Sequence, residues 1–189
     1  DATFADLGGL ASPPEMTQDT RRRDQMWLMR KGLYTKVARN RPAGTAALLE
    51  DVAVPMESLG GVCSELQVLF EAHGYADAVI FGHAKDGHIH FLVTADFAGP
   101  ASLKRYEDFT EDMVQLVLDR QGTLKAEHGT GRIMAPFVHR QYGDELYQAM
   151  WDVKNACDPA RILNPGAVLT EDPQLHLRDI KATAPVREV

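Results

Sequence analysis

Apolar residues recur along the chain at two spacings, and the change from one to the other marks the secondary structure. Spacings of three and four residues predict amphipathic helices over residues 17–39, 55–73, 102–120, 136–139 and 143–157. Short apolar runs bounded by turn-forming residues predict one strand at 46–54 and two more in a hairpin spanning 75–96. Thr17 and Ser102 are expected to cap the first and third long helices, and Gly122 to close the third.

The order of these elements predicts an α+β fold. We expect a small, largely antiparallel sheet with helices packed on one face, as in a ferredoxin-like cap, followed by C-terminal helices. The domain is expected to span residues 17–169, after an irregular lead-in at 1–16 that is rich in Gly, Pro and Ala. The polar residues 170–189 are interpreted as a tail that leads toward a domain absent from this chain.

The same pattern predicts which side chains face inward. The apolar positions of the first helix are Met26, Trp27, Met29, Leu33, Tyr34 and Val37. The last helix is expected to bury Leu146, Met150 and Val153. Residues 158–166 contain two prolines and a glycine, and we expect a tight turn there because Ile162 and Leu163 need burial.

Composition and charge narrow the possible functions. The 189 residues, 44% of them hydrophobic, suffice for one globular unit, and a net charge of −7 argues against nucleic-acid binding. Cys63 and Cys157 fit no metal or redox spacing, which favours reduced thiols in a cytoplasmic protein. A peripheral position at the inner face of the membrane is compatible with this expectation. No signal peptide or membrane-length apolar run is found, and a start at Asp1 predicts a piece of a longer polypeptide.

The hairpin concentrates histidines around one turn signal. If Asp86-Gly87 forms a two-residue turn, His83 lies directly opposite His90, with Cβ atoms about 5 Å apart. Two imidazoles at that separation can converge on one metal ion. Ordinary surface histidines on a hairpin are an equally acceptable interpretation of these residues alone.

Further candidates lie in a Gly-rich loop and on the first helix. Gly129 and Gly131 allow the loop at 124–132 to aim Glu127 and His128, and neighbouring side chains of an extended loop are expected to point opposite ways. Arg30 lies on or beside the apolar face of its helix. Its guanidinium suits either an internal salt bridge or a clamp for a substrate carboxylate.

Three motifs in order carry a family resemblance. They are Gly82-His83-Ala84-Lys85-Asp86-Gly87-His88-Ile89-His90, Glu127-His128-Gly129-Thr130-Gly131, and Asp158-Pro159 through Ile162-Leu163-Asn164-Pro165-Gly166. With support from residues 27–30 and 50–55, the stretch from Met26 to Leu169 resembles the C-terminal cap and tail of FAD-linked oxidases of the vanillyl-alcohol oxidase type. The nearest resemblance is to D-lactate and D-2-hydroxyglutarate dehydrogenases.

The resemblance implies a role for each candidate. His83, His90 and Glu127 would ligate a divalent metal, Zn²⁺ by analogy with the better-known relatives. His128 would be the catalytic base, and Arg30 would bind the substrate carboxylate. Asn164 would contribute weakly to binding FAD. The implied reaction oxidises a D-2-hydroxy acid to the 2-oxo acid, with hydride passed to FAD held by a domain outside this chain.

The resemblance also implies partners beyond this chain. An iron–sulfur domain follows the tail in the longer relatives, and the electron acceptor would be a quinone or a carrier protein. With the flavin region elsewhere in the polypeptide, the fragment alone is expected to be inactive.

Two departures from the family pattern bear on ligands and substrate. His88 stands where the family usually has Asn, and Leu49 where the hydroxyglutarate enzymes have a substrate-binding Lys, which favours D-lactate over D-2-hydroxyglutarate. A metallohydrolase with a His-His-Glu site and a non-catalytic interaction module are the alternative interpretations.

Overall fold

The computed structural model describes residues 17–180. The chain divides into two compact units, residues 1–40 and 41–189, and each is described by itself. The predicted lead-in at 1–16 lies outside the described residues, as does the end of the predicted tail at 181–189.

The described part of the first unit is one helix, α1, at Thr20–Asn40. Its cap is Asp19 rather than the predicted Thr17, because the Asp19 carboxylate accepts the Arg21 N–H at 2.8 Å. The Thr17 hydroxyl instead accepts the N–H of Asp19 at 3.1 Å. No residue of α1 is buried, so the predicted apolar positions of this helix are not covered within the described structure.

The second unit is built on an antiparallel sheet with the predicted strands. Strands β1 (Ala46–Ala53), β2 (Val79–His83) and β3 (His88–Ala95) lie in the order β1-β3-β2. Strand β3 is central, and both of its partners run antiparallel to it. The α+β prediction with a small antiparallel sheet is therefore confirmed.

The core lies on one face of this sheet, under two helices. Helix α2 (Leu59–Ala72), preceded by a 3₁₀ turn at Met56–Ser58, and helix α3 (Pro100–Asp119) pack against each other and the sheet. Phe91 of β3 contacts the rings of Phe70 and Phe109, at centroid distances of 5.6 and 6.1 Å. The opposite face of the sheet is not covered by these two helices, and it carries His88 and His90 of β3.

In place of a fourth strand, a single isolated β-bridge lies beside β1 in the described structure. Ala53 at the end of β1 pairs with Thr123 in the antiparallel sense, which gives the strand order of a ferredoxin-like fold. Gly122 permits this approach, because a Cβ there would lie 2.6 Å from the Ala53 carbonyl oxygen. The segment after α3 is thereby fixed along the outer edge of β1.

Two predicted helix boundaries are corrected. Helix α3 starts earlier than expected, with Gly99 as its N-cap, and the Ser102 hydroxyl accepts the Gly99 N–H from inside the first turn. The helix α4 spans Val138–Cys157 after a 3₁₀ turn at Ala135–Phe137. It is interrupted where the prediction divided it, since Gly143 has φ 75° and ψ 174°.

The predicted inward face of α4 is wrong at two of its three positions, because only Met150 is half-buried. Leu146 and Val153 are 55% and 66% exposed, and Ile162 and Leu163 in the following turn are 74% and 61% exposed. The contacts are made by neighbouring positions of the helix instead: the Tyr147 hydroxyl donates to the Thr170 carbonyl, the Trp151 ring lies under the Arg161 guanidinium, and Lys154 pairs with Asp158. Periodicity identified an apolar stripe but not the side of the helix that the chain covers.

Part of the segment interpreted as a tail packs within the second unit, to which it belongs. A 3₁₀ turn at Leu175–Leu177 buries Leu175 and His176, and the His176 ring lies 5.1 Å from that of Phe137. None of the helices in the described range combines the length and apolar character needed to cross a membrane.

Candidate active site

The β2–β3 connection corrects the predicted hairpin register. The two strands are joined by the four residues 84–87, a 3₁₀ turn at Ala84–Asp86 closed by Gly87 at φ 67°. His83 therefore pairs with His88, and His90 pairs with Phe81. The two-residue turn was wrong because Gly87 alone takes a left-handed conformation, and a Cβ there would meet the Val54 carbonyl oxygen at 2.0 Å.

Three histidines share the face of the sheet opposite the helices. His88 and His90 are two positions apart on β3, and His83 lies beside His88 on β2. Gly82 allows the close approach of β2, because a Cβ at that position would lie 2.2 Å from the His88 carbonyl oxygen. The longer turn thus adds His88 to the pair that the sequence predicted.

Glu127 completes a cluster of potential metal ligands. Its Oε1 lies 3.0 Å from His90 Nε2 and 3.4 Å from His83 Nε2. Donors bound about 2.0–2.2 Å from a tetrahedral ion lie about 3.3–3.6 Å apart, close to these separations. One donor atom from each of His83, His88, His90 and Glu127 lies within 4.8 Å of the others.

A buried carboxylate holds the loop that carries Glu127. Asp51 on β1 is fully buried, and its Oδ2 accepts the N–H groups of Ala126, Glu127 and His128 at 3.0, 2.7 and 3.2 Å. Asp51 was not singled out from the sequence. Its signal was the acidic pair Glu50-Asp51 in an otherwise apolar strand, because buried carboxylates require internal partners.

The surroundings of Asp51 keep it ionised. Burial raises the pKa of Asp51, but the N–H groups of Glu127 and His128 and the charge of Lys125 outweigh it, so the net pKa is lowered. The Lys125 ammonium lies 3.5 Å from Asp51 Oδ1 and also pairs with buried Glu50. Burial dominates at Glu50, whose pKa is raised despite Lys125.

His128 lies in the same cluster as Glu127. Its ring stacks on that of His90 at 5.0 Å and 17°. Its Nδ1 lies 3.4 Å from Asp51 Oδ1, and its Nε2 lies 3.8 Å from Glu127 Oε1. The expectation that neighbouring side chains of this loop point opposite ways is wrong, because three consecutive N–H groups turn toward one carboxylate.

The surroundings of His90 favour its neutral form. Burial lowers the pKa of His90, and the neighbouring His88 and His128 lower it further. A neutral imidazole offers the lone pair that a metal ion needs. Three nitrogen or oxygen atoms of the cluster, His88 Nε2, His90 Nδ1 and Asp51 Oδ1, are buried without a hydrogen-bond partner.

The sheet beyond His90 is apolar. Leu92 on β3 is 2% exposed and pairs with Leu49 of β1 and Val79 of β2 on the histidine face. The Phe81 ring lies 5.3 Å from that of His90. The residue beside Leu92 on β1 is therefore a hydrocarbon side chain, Leu49.

Two predicted residues belong to other elements of the structure. Arg30 is a half-buried residue of α1, in the first unit. Asn164 lies in the exposed turn after α4, with φ 46°. The roles of both stay predictions.

The fold and the cluster together define a class: an α+β domain with helices on one face of its sheet and a histidine–carboxylate site on the other. The family model for FAD linked oxidases, C-terminal domain, matches residues 4–168, and the chain belongs to this family. The family consists of oxidoreductases, and FAD is the cofactor that its name implies.

Relatives of established name agree with this assignment. The chain is 29% identical over 143 residues to glycolate oxidase subunit GlcD of Bacillus subtilis, covering 76% of this chain and 30% of that protein. It is 29% identical over 165 residues to the mitochondrial D-lactate dehydrogenase [cytochrome] of Kluyveromyces lactis, covering 86% and 28%. With D-2-hydroxyglutarate dehydrogenase of Escherichia coli it shares 33% identity over 119 residues, covering 63% and 12%. The chain thus spans less than a third of each relative.

Proposed function

We propose that this chain is the substrate- and metal-binding part of a flavin-dependent dehydrogenase that oxidises a D-2-hydroxy acid to the 2-oxo acid. The observation that carries the proposal is the meeting of Glu127, His83 and His90 at one point, with His128 beside them. The names of the relatives support the substrate class, because glycolate, D-lactate and D-2-hydroxyglutarate are all 2-hydroxy acids.

The donor set fits a divalent metal. His83, His90 and Glu127 would hold it, and the short separations between their donor atoms support that fit. Nitrogen and carboxylate donors suit Zn²⁺. Such an ion, when bound, polarises the 2-hydroxyl of the substrate and lowers its pKa.

His128 is the proposed base. Asp51 Oδ1 faces its Nδ1, so the proton of the neutral imidazole is held on that side and the Nε2 lone pair is free. The Nε2 lies on the side of Glu127, where it would accept the proton of the 2-hydroxyl. Arg30 is the proposed partner of the substrate carboxylate, for which its planar guanidinium is suited.

The flavin comes from outside this chain in this proposal. FAD, when bound, accepts the hydride from the substrate Cα. The short span of the chain relative to its relatives supports a flavin region elsewhere in the same polypeptide. Asn164 as a flavin contact, an iron–sulfur domain, and a quinone or carrier protein as electron acceptor remain parts of this proposal.

D-lactate is the favoured substrate. The apolar pair Leu49 and Leu92 supports a monocarboxylate, because a second carboxylate directed along this face would lose its hydration without gaining a cation there. D-2-hydroxyglutarate is the alternative, supported by the name of one relative.

Steady-state kinetics of the complete polypeptide that contains this chain test the proposal. We expect a higher kcat/KM for D-lactate than for D-2-hydroxyglutarate, with no oxidation of L-lactate. A preference for D-2-hydroxyglutarate would overturn the substrate choice, and no oxidation of any D-2-hydroxy acid would overturn the function. Elemental analysis of untagged protein is expected to find one divalent ion per chain.

A further inference from the structure

We infer that His88 is a fourth protein ligand of the proposed metal, so that the site consists of three imidazoles and one carboxylate. The inference rests on the proposed function for its metal and deepens it by changing the donor set. It identifies the ligand as a divalent cation with an affinity for nitrogen, such as Zn²⁺ or Co²⁺, rather than Mg²⁺ or Ca²⁺.

The position of His88 in the cluster is the first support. The residue is 7% exposed, and its ring centroid lies 4.3 Å from that of His90 and 5.2 Å from that of His83. A ring nitrogen of His88 lies within 4.8 Å of the donor atoms of His83, His90 and Glu127. Four donor atoms that close to one another could hold one metal ion.

The unmet bonding of His88 is the second, independent support. Its Nε2 is buried and has no hydrogen-bond partner among the described residues. Asp51 Oδ2 lies 3.4 Å from this nitrogen. That oxygen already accepts three backbone N–H groups, which leaves it a poor acceptor for an imidazole.

Buried polar atoms without partners call for an explanation, and a bound ion is one of the recognised ones. An ion at the centre of the cluster would engage His88 together with the donors around it. Alternatively, His88 acts outside the coordination sphere by orienting Asp51. Both roles would weaken metal binding when His88 is changed, so affinity alone does not separate them.

X-ray absorption spectroscopy of the Zn²⁺-loaded chain separates them, because it counts imidazole ligands directly. The wild-type chain is expected to show three imidazoles and His88→Asn two, in line with the cluster. Competition against a chelator is expected to show Zn²⁺ affinity lowered by about tenfold or more in His88→Asn. His139→Asn is the matched control, because His139 is half-exposed on α4 and paired with Asp144, and it should change neither measurement.

A wild-type count below three requires no variant, so it overturns the inference even if His88→Asn fails to fold. A count of two in wild type, unchanged in His88→Asn, would overturn the inference and leave the proposed function intact. Loss of the third imidazole in His128→Asn but not in His88→Asn would also overturn it. Absence of stoichiometric Zn²⁺ from the wild-type chain would overturn the metal part of the proposed function as well.

Discussion

At the scale of single residues, one buried carboxylate organises the site. Asp51 binds the backbone of the loop with one oxygen and faces His128 Nδ1 with the other. Asp51 of β1 thereby positions both Glu127, the proposed metal ligand, and His128, the proposed base. Such an arrangement restricts the loop without adding a regular secondary structure.

Replacing Asp51 by Asn should destabilise the fold. The amide keeps the shape but removes the negative charge that accepts three N–H groups and faces Lys125. We expect a loss of roughly 1.5–3 kcal/mol in the free energy of unfolding, measured by urea denaturation. Asp144→Asn, at an exposed carboxylate, should stay within about 0.5 kcal/mol of wild type. Equal effects of the two changes would contradict this account of Asp51.

Replacing His128 by Gln should remove the proposed base while sparing the fold. Loss of a general base typically costs about 10²- to 10⁴-fold, and we expect kcat for D-lactate in the complete polypeptide to fall by that range. Metal content should stay unchanged. His139→Gln, which alters a histidine outside the cluster, should retain wild-type kcat. Unchanged turnover in His128→Gln would exclude it as the base.

At the scale of elements, the turn between β2 and β3 decides which histidines meet. Gly87 closes that turn in a left-handed conformation directly against the Val54 carbonyl. The turn therefore depends on the end of β1 as well as on its own residues. A shift of this turn would change the pairing of His83 with His88.

Gly87→Ala tests the turn. The new Cβ would meet the Val54 carbonyl oxygen at 2.0 Å and must also adopt φ 67°. We expect a loss of at least about 1 kcal/mol in stability, together with weaker Zn²⁺ binding. Gly60→Ala, in an open position of α2, should instead stabilise by roughly 0.5–1 kcal/mol. Wild-type stability and metal affinity in Gly87→Ala would refute the role given to the turn.

The packed turn at Leu175–Leu177 predicts a pH effect. Burial lowers the pKa of His176, against the opposing charges of Glu107, Glu111 and Asp172. The unfolded chain, with an ordinary pKa of about 6.5, therefore takes up this proton first as the pH falls. His176 thus favours folding above about pH 6.5, and that contribution is lost as the pH falls toward its lowered folded pKa.

Urea denaturation at pH 7.5 and pH 5.5 measures this effect, with His176→Gln for comparison. Because the other histidines titrate in both proteins, the difference between them isolates His176. Wild type is expected to lose more stability on acidification than the variant. An equal loss in the two proteins would show that burial of His176 does not contribute.

At the scale of the whole molecule, the chain corresponds to one part of each of its longer relatives. It covers 30% of glycolate oxidase subunit GlcD and 28% of the yeast D-lactate dehydrogenase. In our proposal the metal site belongs to this chain and the flavin does not. Metal binding and oxidation of the 2-hydroxy acid should therefore be separable by experiment.

The 189-residue chain alone should bind Zn²⁺ yet oxidise no D-2-hydroxy acid, because it supplies no hydride acceptor in this proposal. The complete polypeptide should do both. Isothermal titration with Zn²⁺ and a dye-coupled oxidation assay on the same preparations make the comparison. Oxidation of a D-2-hydroxy acid by the 189-residue chain with added FAD would contradict the proposal that the flavin is bound elsewhere in the polypeptide.

The sequence by itself determined the order of helices and strands, because apolar periodicity is a local property that survives in each segment. It also determined the motifs that show the family, including the loop with Glu127 and His128. Tertiary structure alone decided the pairing of His83 with His88, since the turn conformation depends on Val54, which directly follows β1. The role of Asp51 and the exposed side of α4 were likewise decided by contacts between residues far apart in the chain, which no local pattern encodes.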